Sequence, residues 1–284
     1  MRCVEVESGG EMQGRSQIRA MGIVFLICGM AACTEVDGPT AQTWEPSRDI
    51  YGNPDLNGIW QAMGSAHFDL EPHTARMGPV PSLGALGAIP AGLGVVEGGE
   101  IPYQDWARKQ RDENRSDWMA RDPAIKCFMP GIPRSTYMPF PFQIIQGDKT
   151  QIFAYEFAAA ARVVYMDRPD FEHPFEAWMG HSRGQWQGDS LVIRVDAHVP
   201  DTWFDSAGNF HSEALVVEER FTLVSDNVIQ YEATMTDPNV YTRPWKISLP
   251  LYRRLEPGAQ LLEYKCVEFA EELMYGHLVK KKEE

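Results

Sequence analysis

From residue 142 onward the chain takes on a period of two. Segments over 142–146, 150–157, 162–167, 183–187, 190–196, 213–225, 228–236, 246–255 and 260–266 alternate polar and apolar side chains. Turn-forming pairs separate several of them: Gly147-Asp148, Gly188-Asp189, Asp226-Asn227 and Pro257-Gly258. Alternation puts successive side chains on opposite faces of a strand, and tight connections make sequential strands antiparallel neighbours. The pattern predicts a mainly β protein, an antiparallel up-and-down meander that closes into a barrel or folds over as a clam.

The chain before the meander reads differently. Residues 64–102 are crowded with glycine and proline (Gly78, Pro79, Pro81, Gly84, Gly87, Pro90, Gly92, Gly94, Gly98, Gly99) and cannot hold a long helix or strand. The stretch is nevertheless fairly apolar, so a loop packed over another part of the fold is expected. One helix is predicted over 103–121, carrying Trp106, Ala107, Gln110 and Trp118 and ended by Pro123. The prolines at 130, 133, 139 and 141 then hold the chain extended, and Tyr137-Met138-Pro139-Phe140-Pro141-Phe142 is placed to line or seal one barrel end. A short helix over 269–278 and a solvated tail over 280–284 close the sequence.

The N-terminus carries an address. Residues 20–32 are all apolar or glycine apart from Cys28, too short a run to span a bilayer, which takes about 20 residues. Arg15 and Arg19 precede the run and Met30-Ala31-Ala32-Cys33 ends it, so 1–32 reads as a signal peptide. Small residues before Cys33 resemble the bacterial lipobox, with Cys33 as the lipidated first residue of the mature chain; a plain secretory signal is the alternative. Glu5, Glu7 and Glu11 all precede Met12 and are foreign to a signal n-region, which points to Met12 as the start of translation. Residues 33–54, polar and proline-containing, are expected to tether a single β-rich domain over 55–268.

Charge and cysteine count narrow the function. A net charge of −14 excludes a nucleic-acid binder, whose partner demands a basic surface. It also leaves the lipid on Cys33 as the means of membrane contact. The expected location is the periplasmic face of the outer membrane, since Thr34 supplies no aspartate after Cys33, or the periplasm if Cys33 carries no lipid. In the folded part only Cys127 and Cys266 remain, and an oxidising compartment favours a disulfide between them over two buried thiols.

Candidate site residues cluster between Trp178 and Trp245. His211, Asp205 and Arg183 are the catalytic candidates: a histidine oriented by a carboxylate can act as a general base, with an arginine to steady an anion. The competing reading makes 205–209 a turn and His211 the cap of a strand end. Tyr155, Trp178, Trp203, Arg243 and Trp245 are the ligand-binding candidates, aromatic or cationic groups on strand faces and loops. On 213–225 the otherwise apolar face of Leu215, Val217, Phe221 and Leu223 also carries Glu213 and Glu219. Carboxylates there need a partner, Arg162, Arg220 or Arg243, or water, unless the strand end twists out into solvent as is expected for Glu213. His67, His73 and His211 are too far apart in sequence to be read as metal ligands, and neither a zinc motif nor a phosphate-binding glycine loop occurs. No metal and no cofactor are expected.

Several segments together resemble a widespread family of uncharacterised secreted proteins and lipoproteins of environmental bacteria. They include Pro54-Asp55-Leu56-Asn57-Gly58-Ile59-Trp60-Gln61, Tyr137 to Gln143, Trp178-Met179-Gly180, Thr202-Trp203-Phe204-Asp205, Phe210-His211-Ser212 and Thr242-Arg243-Pro244-Trp245. The resemblance spans about 55–268 and implies export; it carries no activity. Gly58-Ile59-Trp60 also resembles the lipocalin Gly-x-Trp, although the long loop before the sheet departs from that pattern. The reading that follows is an exported lipoprotein holding a small apolar or aromatic molecule in a barrel pocket. The alternative is a cofactor-independent hydrolase, lyase or isomerase using the His211–Asp205 pair.

Overall fold

The computed structural model describes residues 44–78, 80–168 and 174–267; the expected signal segment, Cys33 and the helix and tail expected after 268 lie outside them. Nine strands close a barrel: β1 (Gly58–Ala62), β2 (Phe142–Gln146), β3 (Thr150–Tyr155), β4 (Ala161–Tyr165), β5 (His181–Gln187), β6 (Ser190–Asp196), β7 (Val216–Ser225), β8 (Val228–Thr236) and β9 (Trp245–Arg253). Neighbours follow chain order, and β9 returns to β1 through Trp60–Arg253, Gln61–Tyr252 and Ala62–Leu251. An odd number of strands cannot alternate direction all the way round. One neighbouring pair must run parallel, and it is β4 with β5.

Two strand assignments from the sequence are corrected. The segment 260–266 is no strand, because β9 already pairs on one side with β8 and on the other with β1 and has no free edge there. Its place is taken by β1, whose short alternation precedes the long loop. The expected strand over 213–225 starts only at Val216, so Glu213 precedes it and lies on neither strand face. The helix expected over 103–121 is interrupted at Asp117 into α1 (Asp105–Ser116) and α2 (Trp118–Arg121). A further short helix, α3 (Arg134–Tyr137), is entirely buried. No helix among the described residues is long and apolar enough to cross a membrane.

Side chains fill the barrel interior. Phe142, Phe153, Phe221 and Tyr231 form a row across it, with successive ring centroids 6.3, 5.4 and 4.9 Å apart. Each such buried aromatic contributes roughly 1.5–3 kcal/mol by leaving water. The two barrel ends differ. One is made of the tight turns at 147–149, 188–189 and 226–227, where Gly188 takes the positive φ of 59° that a two-residue turn requires. The second half of the expected tether is fastened to this end: Arg48 pairs with Asp189 at 2.7 Å, the Trp44 indole donates to Asp226, and Gln146 donates to Asp49. The opposite end carries the long connections 63–141, 197–215 and 237–244. Loops on a rigid sheet are where binding groups gather, and at this end the connections are long enough to form a site.

Candidate functional site

The looped end is plugged by α3. Arg134 makes two hydrogen bonds of 2.7 Å to the Asp122 carboxylate, both residues buried, and Tyr137 donates to the Phe204 carbonyl at 2.9 Å. Gly131, just before the plug, has φ 76°, and a β-carbon there would stand 2.8 Å from Thr202 Oγ1. Of the proline-set segment from Tyr137 to Phe142, Tyr137 and Phe142 join the main core, whereas Met138 and Phe140 pack in a separate cluster with Phe157 and Tyr264.

The catalytic candidates are not brought together. His211 is buried; its Nδ1 lies 2.9 Å from the Ser212 carbonyl and its Nε2 2.6 Å from Thr202 Oγ1. A carbonyl can only accept, so Nδ1 carries the proton and Nε2 accepts from the threonine hydroxyl. Asp205 accepts instead from the backbone of Leu70, Ala207 and Asn209 and from the Asn209 amide. Burial, with the Asp69 charge nearby, pushes its carboxyl up to about 7. The expected His211–Asp205 pair is thus replaced by Thr202–His211, while Asp205 ties the 205–209 turn to residue 70. Arg183 is engaged with Asp196 across the β5–β6 pair. Thr202 and His211 have the hydroxyl–imidazole geometry of an activated nucleophile, but they are 1% and 3% exposed and line none of the cavities described below.

The ligand-binding candidates are likewise dispersed. Tyr155 points into the barrel; Trp245 is buried with the edges of Phe204 and Tyr241 against it; Trp203 is buried in a bridge with Phe210. Arg243 is exposed and lines an open groove of about 650 Å³ with Tyr103, Asp237 and Tyr241. Trp178, half-buried, stacks on Phe128 with centroids 4.7 Å apart.

Two other places at this end matter. The first is a cavity of about 600 Å³ where β1 stops short along β9. Ala62 and Leu249 form its barrel side, residues 90–95 of the Gly/Pro-rich segment its outer wall, and Tyr137 borders it. That segment packs on the barrel as its apolar character suggests: Glu97 N donates to Lys246 and Ser248 N to Val95, on the stretch of β9 that β1 leaves free. Gly92 lets the loop come close, since a β-carbon there would stand 2.1 Å from Ser65 Oγ.

The second is a polar cluster that the sequence disclosed only in part. Arg162, from β4, donates to Glu219 of β7 at 2.5 Å, and Tyr231 donates to the other Glu219 oxygen at 2.8 Å; all three are buried. Arg162 is thus the partner that Glu219 requires, out of the three candidates. Burial alone would lower the Arg162 pKa, but the adjacent Glu219 carboxylate raises it and holds the guanidinium charged. Ser182 and the ring of Phe153 complete its surroundings, at 3.4 Å from Nη1 and 4.5 Å from the guanidinium carbon respectively. His198, absent from the sequence-based candidates, is fully buried near this region. Burial, with His211 beside it, lowers it to about 3 and keeps it neutral.

No protein-family model matches this chain, and no curated protein matches it. Among the described residues, no group of three or more His, Cys, Asp or Glu side chains is placed to hold a metal ion. The 600 Å³ cavity is walled mainly by alanine, leucine, valine, proline and glycine, with Ser65, Asp69 and Ser248 as polar points. Such a lining can hold an apolar body and orient it through a few hydrogen bonds.

Proposed function

We propose that the protein is an exported lipoprotein that binds a small, largely apolar molecule at the looped end of its barrel. The observation that carries the reading is the cavity of about 600 Å³ between the β1–β9 rim and the Gly/Pro-rich segment. Its size falls within the roughly 300–1,000 Å³ usual for small-molecule sites, and its walls are predominantly apolar. Hydrophobic acids, phenols and terpenoids are the compounds to screen, by intrinsic tryptophan fluorescence. At least one is expected to give a saturable change.

Ala91 is exposed on the outer wall, so Ala91→Trp adds bulk over the cavity without disturbing the core. The variant is expected to melt with wild type and to bind at least about tenfold more weakly. Undiminished binding in a folded Ala91→Trp protein would move the ligand elsewhere. The anchor is tested separately. Cys33→Ser is expected to shift the protein from the membrane to the soluble fraction or leave it unprocessed, and equal partitioning of the two forms removes the lipid from the proposal.

A further inference from the structure

The backbone edge of β9 is left open inside the apolar cavity. In an antiparallel sheet successive residues turn their N–H and C=O groups to opposite neighbours. The odd-numbered residues of β9 bond to the β8 side, as Arg253 N does to the Asn227 carbonyl at 3.0 Å, and the even-numbered ones face the other way. On that side β1 covers β9 only from Leu251 to Arg253. The Gly/Pro-rich segment covers it again around Ile247, which Val96 bridges. There Glu97 N donates to the Lys246 carbonyl at 2.8 Å and Ser248 N to the Val95 carbonyl at 3.0 Å. The gap between these two covers is the cavity, and Ser248, Leu249 and Pro250 line it.

An unbroken ladder would have Val95 N donate to the Ser248 carbonyl. It donates instead to the Leu70 carbonyl at 2.8 Å, where the segment turns away from β9. The Ser248 carbonyl lies in the plane of the sheet, points into the gap and accepts no hydrogen bond from any described residue. Ser248 is half-buried, so this oxygen is neither sealed in the core nor fully in water. Its side chain is on the outer face, where Oγ accepts from Gln230 at 2.8 Å. Two residues on, Pro250 has no N–H. The open edge of β9 therefore offers an acceptor and no donor, and an unpaired edge is a template for whatever can pair with it.

Charge decides what that partner is. Asp69 is the one charged residue in the lining; it is buried, and Arg115 at 3.1 Å and Arg76 at 3.8 Å pair with it from outside the lining. A carboxylate in the cavity would meet a carbonyl oxygen and a second carboxylate, with no cation in the walls to balance it. An ammonium would find Asp69 already neutralised and would give up its hydration against apolar walls. The Ser65 hydroxyl can donate or accept and does not choose between ligands. An uncharged group with a proton to give pairs with the edge without either penalty. We propose, resting on the reading that this cavity is the binding site, that its ligand is an apolar molecule carrying a hydroxyl group, a phenol or an alcohol and not an acid, which donates to the Ser248 carbonyl.

The test uses three probes with one apolar body and different polar ends: para-butylphenol, para-butylanisole and para-butylbenzoate, each titrated by calorimetry into the full-length protein at neutral pH. The phenol is expected to bind saturably. The anisole, its donor proton replaced by methyl, should bind at least about fivefold more weakly, one neutral hydrogen bond being worth that much, and the benzoate at least about tenfold more weakly. Pro250→Ala supplies the missing N–H on the open edge and should tighten the anisole and the benzoate relative to the phenol by about threefold or more. Ala91→Trp should weaken all three. Equal binding of phenol and anisole, both lost in Ala91→Trp, would overturn the hydroxyl and leave the cavity as the binding site. Tightest binding by the benzoate, or unchanged ratios in a folded Pro250→Ala protein, would overturn the acceptor edge. Failure of all three probes to bind, or undiminished phenol binding in folded Ala91→Trp, would overturn the cavity and this proposal with it.

Discussion

Replacing Glu219 by alanine is expected to destabilise the fold by about 3–5 kcal/mol, more than other single polar substitutions in the barrel. The carboxylate is fully buried and holds both Arg162 at 2.5 Å and the Tyr231 hydroxyl at 2.8 Å. Its removal leaves a guanidinium that is always charged in an apolar interior, with neutral neighbours such as Phe153, Ser182 and Tyr155 around it. At this chain length the loss corresponds to a melting temperature lower by roughly 10 °C. The second half of the prediction is the more discriminating. The double variant Arg162→Met/Glu219→Leu removes both charges and is expected to recover most of the lost stability, because a well-packed apolar pair often matches a buried ion pair. Thermal unfolding of the three proteins checks both statements. A double variant no more stable than Glu219→Ala would mean that packing around these residues, and not the unpaired charge, sets the loss.

The same cluster shows how far the sequence could be read. Alternation on 213–225 put Glu219 on the apolar face and so required a cation, and Arg162 was among three that could supply it. The structure selects it because Arg162 shares the inward face of β4 with Val164, whereas Arg220 faces outward to Gln187 and Arg243 lies in an exposed connection. Strand alternation is legible because most strands bury one face, as in β3, β7, β8 and β9, but alternation alone does not say whether a partner strand has an edge free. That is why 260–266 read as a strand and β1, whose neighbours lie some eighty and two hundred residues away, did not. Loop residues carry no such periodicity. Asp205 and His211 lie six residues apart in a turn-rich segment, and spacing does not reveal that each bonds to something else. Thr136 and His198 belong to no motif, and Thr202 only to a segment of the family resemblance that carries no role, so burial beside other polar groups is what marks them.

Loss of the Cys127–Cys266 bond is expected to lower global stability by about 5 kcal/mol. The disulfide forms as the compartment argument anticipates, with Cα atoms 5.6 Å apart, but it joins the end of the short turn after Pro123 to an extended C-terminal segment, not to a last strand. It closes a sequence separation of 139 residues. Cross-linking so long a loop restricts the unfolded chain strongly, and the chain-entropy estimate for such a span gives about 5 kcal/mol. That value applies in full only if the native fold is unchanged when the bond is cut. Independent contacts argue that it is: Tyr264 packs against Phe140 and Phe157 at 5.6 and 5.0 Å, and Leu262 N donates to Glu156 at 2.8 Å. The reduced native protein therefore keeps its C-terminal segment docked, and the penalty falls on the whole fold. Denaturant unfolding of wild type with and without reductant, beside Cys127→Ser/Cys266→Ser, measures it; the reduced protein and the double variant should coincide. If reduction leaves the global midpoint in place and only opens residues 255–267 to protease, the bond fastens the tail and does not stabilise the barrel.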